Sequence, residues 1–112
     1  MKIYHNPRCS KSRQGLALLQ EANVDLEIIE YLKTPLTKSD LEGLLKKLNI
    51  PAIELVRKNE AIWKEQFKNK DLSDNEIVEA MVAFPKLIER PIIEKGDKAV
   101  IGRPLENITP LI

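Results

Sequence analysis

The first thirty residues restrict the fold more than any other part of the chain. Lys2 to His5 has the pattern of a short strand, and Asn6-Pro7, a pair that interrupts regular structure, ends it. A helix is expected to start near Ser10, because Leu16, Leu19 and Gln20 recur at helical spacing and Leu18 and Ala22 widen the apolar face. Asn23 is a plausible stop. Leu26 to Leu32 (LEIIEYL) is compact, rich in isoleucine and bounded by polar residues, which predicts a second strand. Two neighbouring strands joined through a helix form a βαβ unit, which requires parallel pairing and a right-handed crossover.

Thr34-Pro35 then breaks the chain. Thr37 or Ser39 is placed to cap a helix carrying Leu41, Leu44, Leu45 and Leu48 at i, i+3, i+4 and i+7. Pro51 opens a short helical piece with Ile53, Leu55 and Val56, and residues 60–68 predict a helical turn or two around Ile62, Trp63 and Phe67. Ser73 followed by Glu76 is a capping box ahead of Ile77, Val78, Met81 and Phe84, and Pro85 ends that helix. In the last third the period changes. Ile92-Ile93-Glu94 and Ala99-Val100-Ile101 flank Lys95-Gly96-Asp97-Lys98, and the central Gly-Asp predicts a two-residue hairpin. The expected fold is α/β: a thioredoxin-like sheet made of a βαβ unit, inserted helices and a ββ hairpin, in one domain over residues 1–112.

Composition supports an independent core. With 43% apolar and 31% charged residues, 112 residues bury roughly two thirds of their unfolded surface without a disulfide or metal. Eighteen basic against 17 acidic side chains leave a net charge of +1, so nothing points to nucleic acid or a membrane surface as partner. No apolar run approaches the ~18 residues of a membrane span, and the N-terminus lacks the apolar stretch of a signal peptide. A cytoplasmic domain is expected. One cysteine and one histidine exclude an internal disulfide and a Cys/His zinc cluster, so no metal is expected.

That cysteine, Cys9, falls between the first strand and the first helix, in His5-Asn6-Pro7-Arg8-Cys9-Ser10-Lys11-Ser12. Lone cysteines are usually small buried apolar residues. A helix N-terminus instead stabilises negative charge and lowers a thiol's pKa, and Arg8, Lys11 and Arg13 add positive charge with no acidic residue before Glu21. Cys9 therefore reads as a reactive thiolate. His5, four residues earlier, is placed to favour that thiolate by charge or hydrogen bonding rather than by direct proton transfer. Ser12 stands where a dithiol CxxC enzyme carries its resolving cysteine, so an outside thiol must resolve any covalent state of Cys9.

Three further arginines are Arg57, Arg90 and Arg103, and the last two directly precede prolines. A residue before proline is held extended, which fixes where its side chain starts. Arg90-Pro91 stands just before the hairpin strand, where thioredoxin-like folds place a cis-proline beside the catalytic cysteine. Guanidinium groups suit tetrahedral oxyanions because they bind bidentately and stay charged.

With these residues in view, Ile3-Tyr4-His5-Asn6-Pro7-Arg8-Cys9-Ser10-Lys11-Ser12 resembles the HNPxCxxS signature of the glutathione/glutaredoxin-dependent arsenate reductases. Tyr31-Leu32-Lys33-Thr34-Pro35 is similar to that family's second strand and turn, and Leu55-Val56-Arg57-Lys58-Asn59 to its LxRKN segment. Leu87-Ile88-Glu89-Arg90-Pro91-Ile92 resembles its LINRPI stretch and Gly102-Arg103-Pro104 its final arginine motif. The matches run in order over nearly the whole chain. The nine residues after Arg103 resemble the short chromosomal members rather than the longer-tailed plasmid type.

The resemblance implies that Cys9 attacks arsenate to form a covalent adduct, that Arg57, Arg90 and Arg103 form the oxyanion cradle, and that His5 favours the Cys9 thiolate. Ser12 and Pro91 are secondary. Glutathione is implied as co-substrate and glutaredoxin as partner, with no bound cofactor. Two other readings share the fold: a glutathione-dependent thiol-disulfide oxidoreductase, which needs Cys9 but not the arginines, and a non-catalytic Spx-like redox adaptor or regulator that binds a polymerase or protease. The three arginines favour the reductase, since an adaptor needs no oxyanion site.

Overall fold

The computed structural model describes residues 1–112. The chain forms two compact units, one of Met1–Thr34 with Arg90–Ile112 and one of Pro35–Glu89. No helix is long and apolar enough to cross a membrane.

The first unit is built on a four-stranded sheet. β1 (Lys2–Tyr4) leads into α1 (Ser10–Glu21) and β2 (Glu27–Ile29), while β3 (Ile92–Lys95) and β4 (Lys98–Ile101) form the hairpin. The sheet order is β2-β1-β3-β4, with β1 parallel to β2 and antiparallel to β3. This is the expected thioredoxin-like arrangement of a βαβ unit and a hairpin. Gly96 supplies the positive φ (60°) that a glycine-first two-residue turn requires. Ile3 and Ile93, opposite each other on the two inner strands, are fully buried with Leu19 of α1 and with Ile108, and Leu111 completes the cluster.

Register, more than packing, sets where the site lies. Tyr4 pairs with Ile92, and Ile92 pairs with Ile101. The residues that follow Tyr4, precede Ile92 and follow Ile101 therefore emerge at one end of the sheet. Those segments carry Cys9, Arg90-Pro91 and Gly102-Arg103.

The second strand is shorter than Leu26–Leu32. Only Glu27–Ile29 pairs, and Glu30 begins a turn in which Lys33 and Thr34 donate to its carbonyl. β2 is an edge strand whose single neighbour leaves the sheet at Asn6-Pro7; His5 N–H to the Ile29 carbonyl, 2.8 Å, is the last bond available. Tyr31, fully buried, then draws the chain off the edge.

The second unit contains α2 (Lys38–Leu48), α3 (Ala61–Gln66) and α4 (Asp74–Ala83), with short 3-10 turns at Ala52–Leu55 and Pro85–Leu87. Thr37 and Asp40 cap α2 reciprocally, as Ser73 and Glu76 cap α4. Leu41, Leu44, Leu55, Ile77, Met81 and Leu87 are among its buried apolar side chains, and Trp63, Phe67 and Phe84 form a chain of ring contacts. An isolated bridge pairs Val56 with Ile88.

Candidate active site

Cys9 is the N-cap of α1 and is partly buried. The loop that presents it is tied to itself: Cys9 N–H donates to the Asn6 carbonyl at 3.0 Å and Arg8 N–H to Asn6 Oδ1 at 3.0 Å. The Cys9 carbonyl already accepts the first helical bond, from Arg13 N–H. This leaves Sγ over the free amides at the start of the helix.

Burial on its own would raise the Cys9 thiol. The Ser12 backbone N–H, the hydrogen bond and charge of the Arg90 guanidinium, and the Lys11 backbone N–H overcome it, bringing the pKa from an ordinary 9.0 down to about 7. Arg103 reaches the same sulfur, with Nη2 donating to Sγ at 3.3 Å while Nε donates to the Arg90 carbonyl at 2.8 Å. Arg103 is thus both a cation at the sulfur and a strut on the segment that carries Arg90. Both arginines precede cis-prolines, Pro91 and Pro104.

The structure brings Cys9, Arg90 and Arg103 together as the sequence predicts, but by a different electrostatic route. The charged side chains nearest in sequence are not all aimed at the thiol. Arg13 Nη1 donates to the Pro7 carbonyl at 3.0 Å, and Lys11 acts through its backbone amide. Side chains in the first turn of a helix diverge from its axis, whereas the amides converge on it.

His5 and Ser12 form a pair of their own. Both are buried, with His5 Nδ1 2.7 Å from Ser12 Oγ, and Asn6 N–H donates to that same oxygen at 3.0 Å. Burial lowers the His5 pKa below 6.5; Glu30 opposes this, Arg13 reinforces it and the Ser12 hydrogen bond opposes it. At pH 7 the ring is neutral, so its link to the thiol runs through hydrogen bonding. Ser12 Oγ engages His5 while Ser12 N–H serves Cys9. Ser12 is therefore more than the place of an absent second cysteine. Nothing in the sequence flags the pair, because it spans an irregular loop.

Arg57 belongs to the second unit. Its N–H donates to the Leu87 carbonyl at 2.7 Å, and Nε lies 3.4 Å from the Glu60 carboxylate without hydrogen-bond geometry. Nη1 is buried with no hydrogen-bond partner, which leaves part of this guanidinium uncommitted.

A partly buried thiolate at a helix N-terminus, with two guanidiniums at one sulfur, is equipped to attack a small tetrahedral anion and to hold its charge. Comparison with known proteins agrees with that chemistry. The model of the ArsC family matches residues 4–111. A Neisseria meningitidis protein named arsenate reductase is 40% identical over 114 residues, covering 100% of this chain and 97% of the relative. An Escherichia coli K12 protein, YfgD, described as uncharacterised, is 46% identical and covers 100% of this chain and 96% of its own length. The solved structure of an arsenate reductase from Vibrio cholerae superposes with a TM-score of 0.94 at 38% identity, covering 100% and 98% of the two chains.

Proposed function

The chain belongs to the ArsC family, and from that premise we propose that it is an arsenate reductase in which Cys9 is the nucleophile. The observation that carries this reading is the convergence of Arg90 and Arg103 on a sulfur whose pKa stands at about 7. Half of such a thiol is thiolate at neutral pH, and the same cations that hold it suit the incoming dianion.

In the proposed first step the thiolate forms a bond to arsenic, and one arsenate oxygen takes a proton and leaves as water. Arg90 and Arg103 bind the remaining oxygens and hold the charge that builds on them. An outside thiol then attacks the Cys9 sulfur. The new S–S bond forms as the S–As bond breaks, its electron pair stays on arsenic, and arsenite leaves. A second outside thiol reduces the mixed disulfide and returns Cys9. One cysteine in the chain makes both outside thiols necessary. We assign the first to glutathione and the second to glutaredoxin. His5 and Ser12 hold the loop and its amides in place and do not touch arsenic.

Thiol-disulfide exchange on other substrates needs the same thiolate but has no use for two guanidiniums at the sulfur. The test is NADPH-coupled arsenate reduction with glutathione, glutaredoxin and glutathione reductase. Turnover that saturates in arsenate and disappears in Cys9→Ser is expected. Turnover that survives in Cys9→Ser overturns the reading.

A further inference from the structure

The Pro91 ring lies in a slot that is closed to a side chain at Gly102 and leaves one at Gly15 only a very tight contact. A Cβ built on Gly15, in the middle of α1, stands 3.0 Å from Pro91 Cγ and 3.3 Å from Ile108 Cδ1. A Cβ built on Gly102, just past β4, stands 2.9 Å from Pro91 Cγ and 3.0 Å from Ile108 Cδ1. Neither glycine has a positive φ, so space rather than backbone conformation requires them. Gly15 is otherwise a poor choice, since glycine inside a helix weakens it relative to alanine.

Two hydrogen bonds couple this slot to the reactive sulfur. Gly102 N–H donates to the Pro91 carbonyl at 2.8 Å, and Arg103 Nε donates to the Arg90 carbonyl at 2.8 Å. The Arg90-Pro91 segment is thus held at both carbonyls, and the ring between them is seated against α1. We infer that Gly15 and Gly102 are positioning residues: by letting the Pro91 ring lie flush between α1 and the end of β4, they fix the point from which the Arg90 guanidinium reaches Cys9. A methyl group at Gly102 overlaps the ring and one at Gly15 presses on it at 3.0 Å, so the ring gives way at either position and the displaced segment carries Arg90 with it. The inference rests on the arsenate reading only for its substrate arm.

The test compares Gly102→Ala and Gly15→Ala with Gly43→Ala, a control in α2 where a Cβ meets nothing within 4 Å. Thiolate absorbance at 240 nm is titrated, and alkylation by iodoacetamide, which needs no oxyanion site, is timed at pH 7. Gly43→Ala leaves Cys9 unchanged and raises Tm. Gly102→Ala and Gly15→Ala raise the Cys9 midpoint by about one unit, which cuts thiolate at pH 7 about fivefold and slows alkylation in proportion. The KM for arsenate rises about tenfold with them. Adding Ile108→Val to Gly102→Ala removes Cδ1 but leaves the ring in the way, so the defect persists. An unchanged midpoint in Gly15→Ala and Gly102→Ala overturns the inference, as does restoration by Ile108→Val, because Ile108 rather than Pro91 is then what the glycines accommodate. Gly15→Ala carries the test if Gly102→Ala does not fold. Absence of arsenate turnover in the parent protein counts against the reductase reading and leaves the titration to judge the slot.

Discussion

Replacing Arg90 separates the two things its guanidinium does. The Cys9 pKa falls from 9.0 to about 7, a difference of about 2 to 3 kcal/mol between thiolate and thiol. Against burial, that gain comes from the Ser12 amide, the hydrogen bond and charge of Arg90, and the Lys11 amide. Arg90→Gln removes the charge and keeps a donor, so the midpoint should rise by about one unit, worth about 1.4 kcal/mol. Thiolate at pH 7 then drops from about half to about a tenth. Arg90→Lys restores the charge, so most of the shift should return. Lysine lacks the planar fork, however, and the KM for arsenate should stay raised by about tenfold or more. The assay pairs a pH titration of thiolate absorbance with arsenate kinetics on the same preparations. If Arg90→Gln leaves the midpoint at about 7, the helix amides alone hold the thiolate. If Arg90→Lys matches the parent in KM, bidentate recognition is wrong.

Two predictions concern the pair behind the loop. Ser12→Ala strips the partner from the buried His5 Nδ1 and Asn6 N–H, and should cost about 1–3 kcal/mol in chemical denaturation; no loss would mean the pair contributes nothing net. The His5 pKa is lowered on folding, so its neutral state contributes stability that is complete above 6.5 and is lost as pH falls below 6.5 and the unfolded chain takes up the proton. His5→Gln should flatten that acid-side decline in denaturation measured across pH, and an identical pH profile would place His5 in a solvated state.

Much of this architecture was legible where one local rule decides. The start of α1 at Ser10, the Ser73–Glu76 box and the Gly96-Asp97 turn each follow from a few neighbouring residues. Cys9, Arg90 and Arg103 were legible as a set through their motifs, and the strand register explains why segments more than eighty residues apart meet at one sheet end. Elements that depend on distant partners were not. The strand through Leu26–Leu32 ends early because its neighbour departs at Asn6-Pro7, a fact of pairing rather than of its own composition. Ser12 draws its second role from a histidine across a loop, and Gly15 and Gly102 owe theirs to a ring that only the folded chain delivers. An unexplained glycine inside a helical pattern was the one available hint.

The central claim is that Cys9 bonds to arsenic and is then released by an outside thiol. Mass spectrometry of the protein after acid quench, following incubation with glutathione alone or with glutathione and arsenate in the absence of glutaredoxin, tests it most directly. Glutathione on Cys9 only when arsenate is present, with arsenite formed in equal amount, is the predicted result. Arsenite formed while Cys9 stays unmodified, or glutathionylation that does not depend on arsenate, would contradict it.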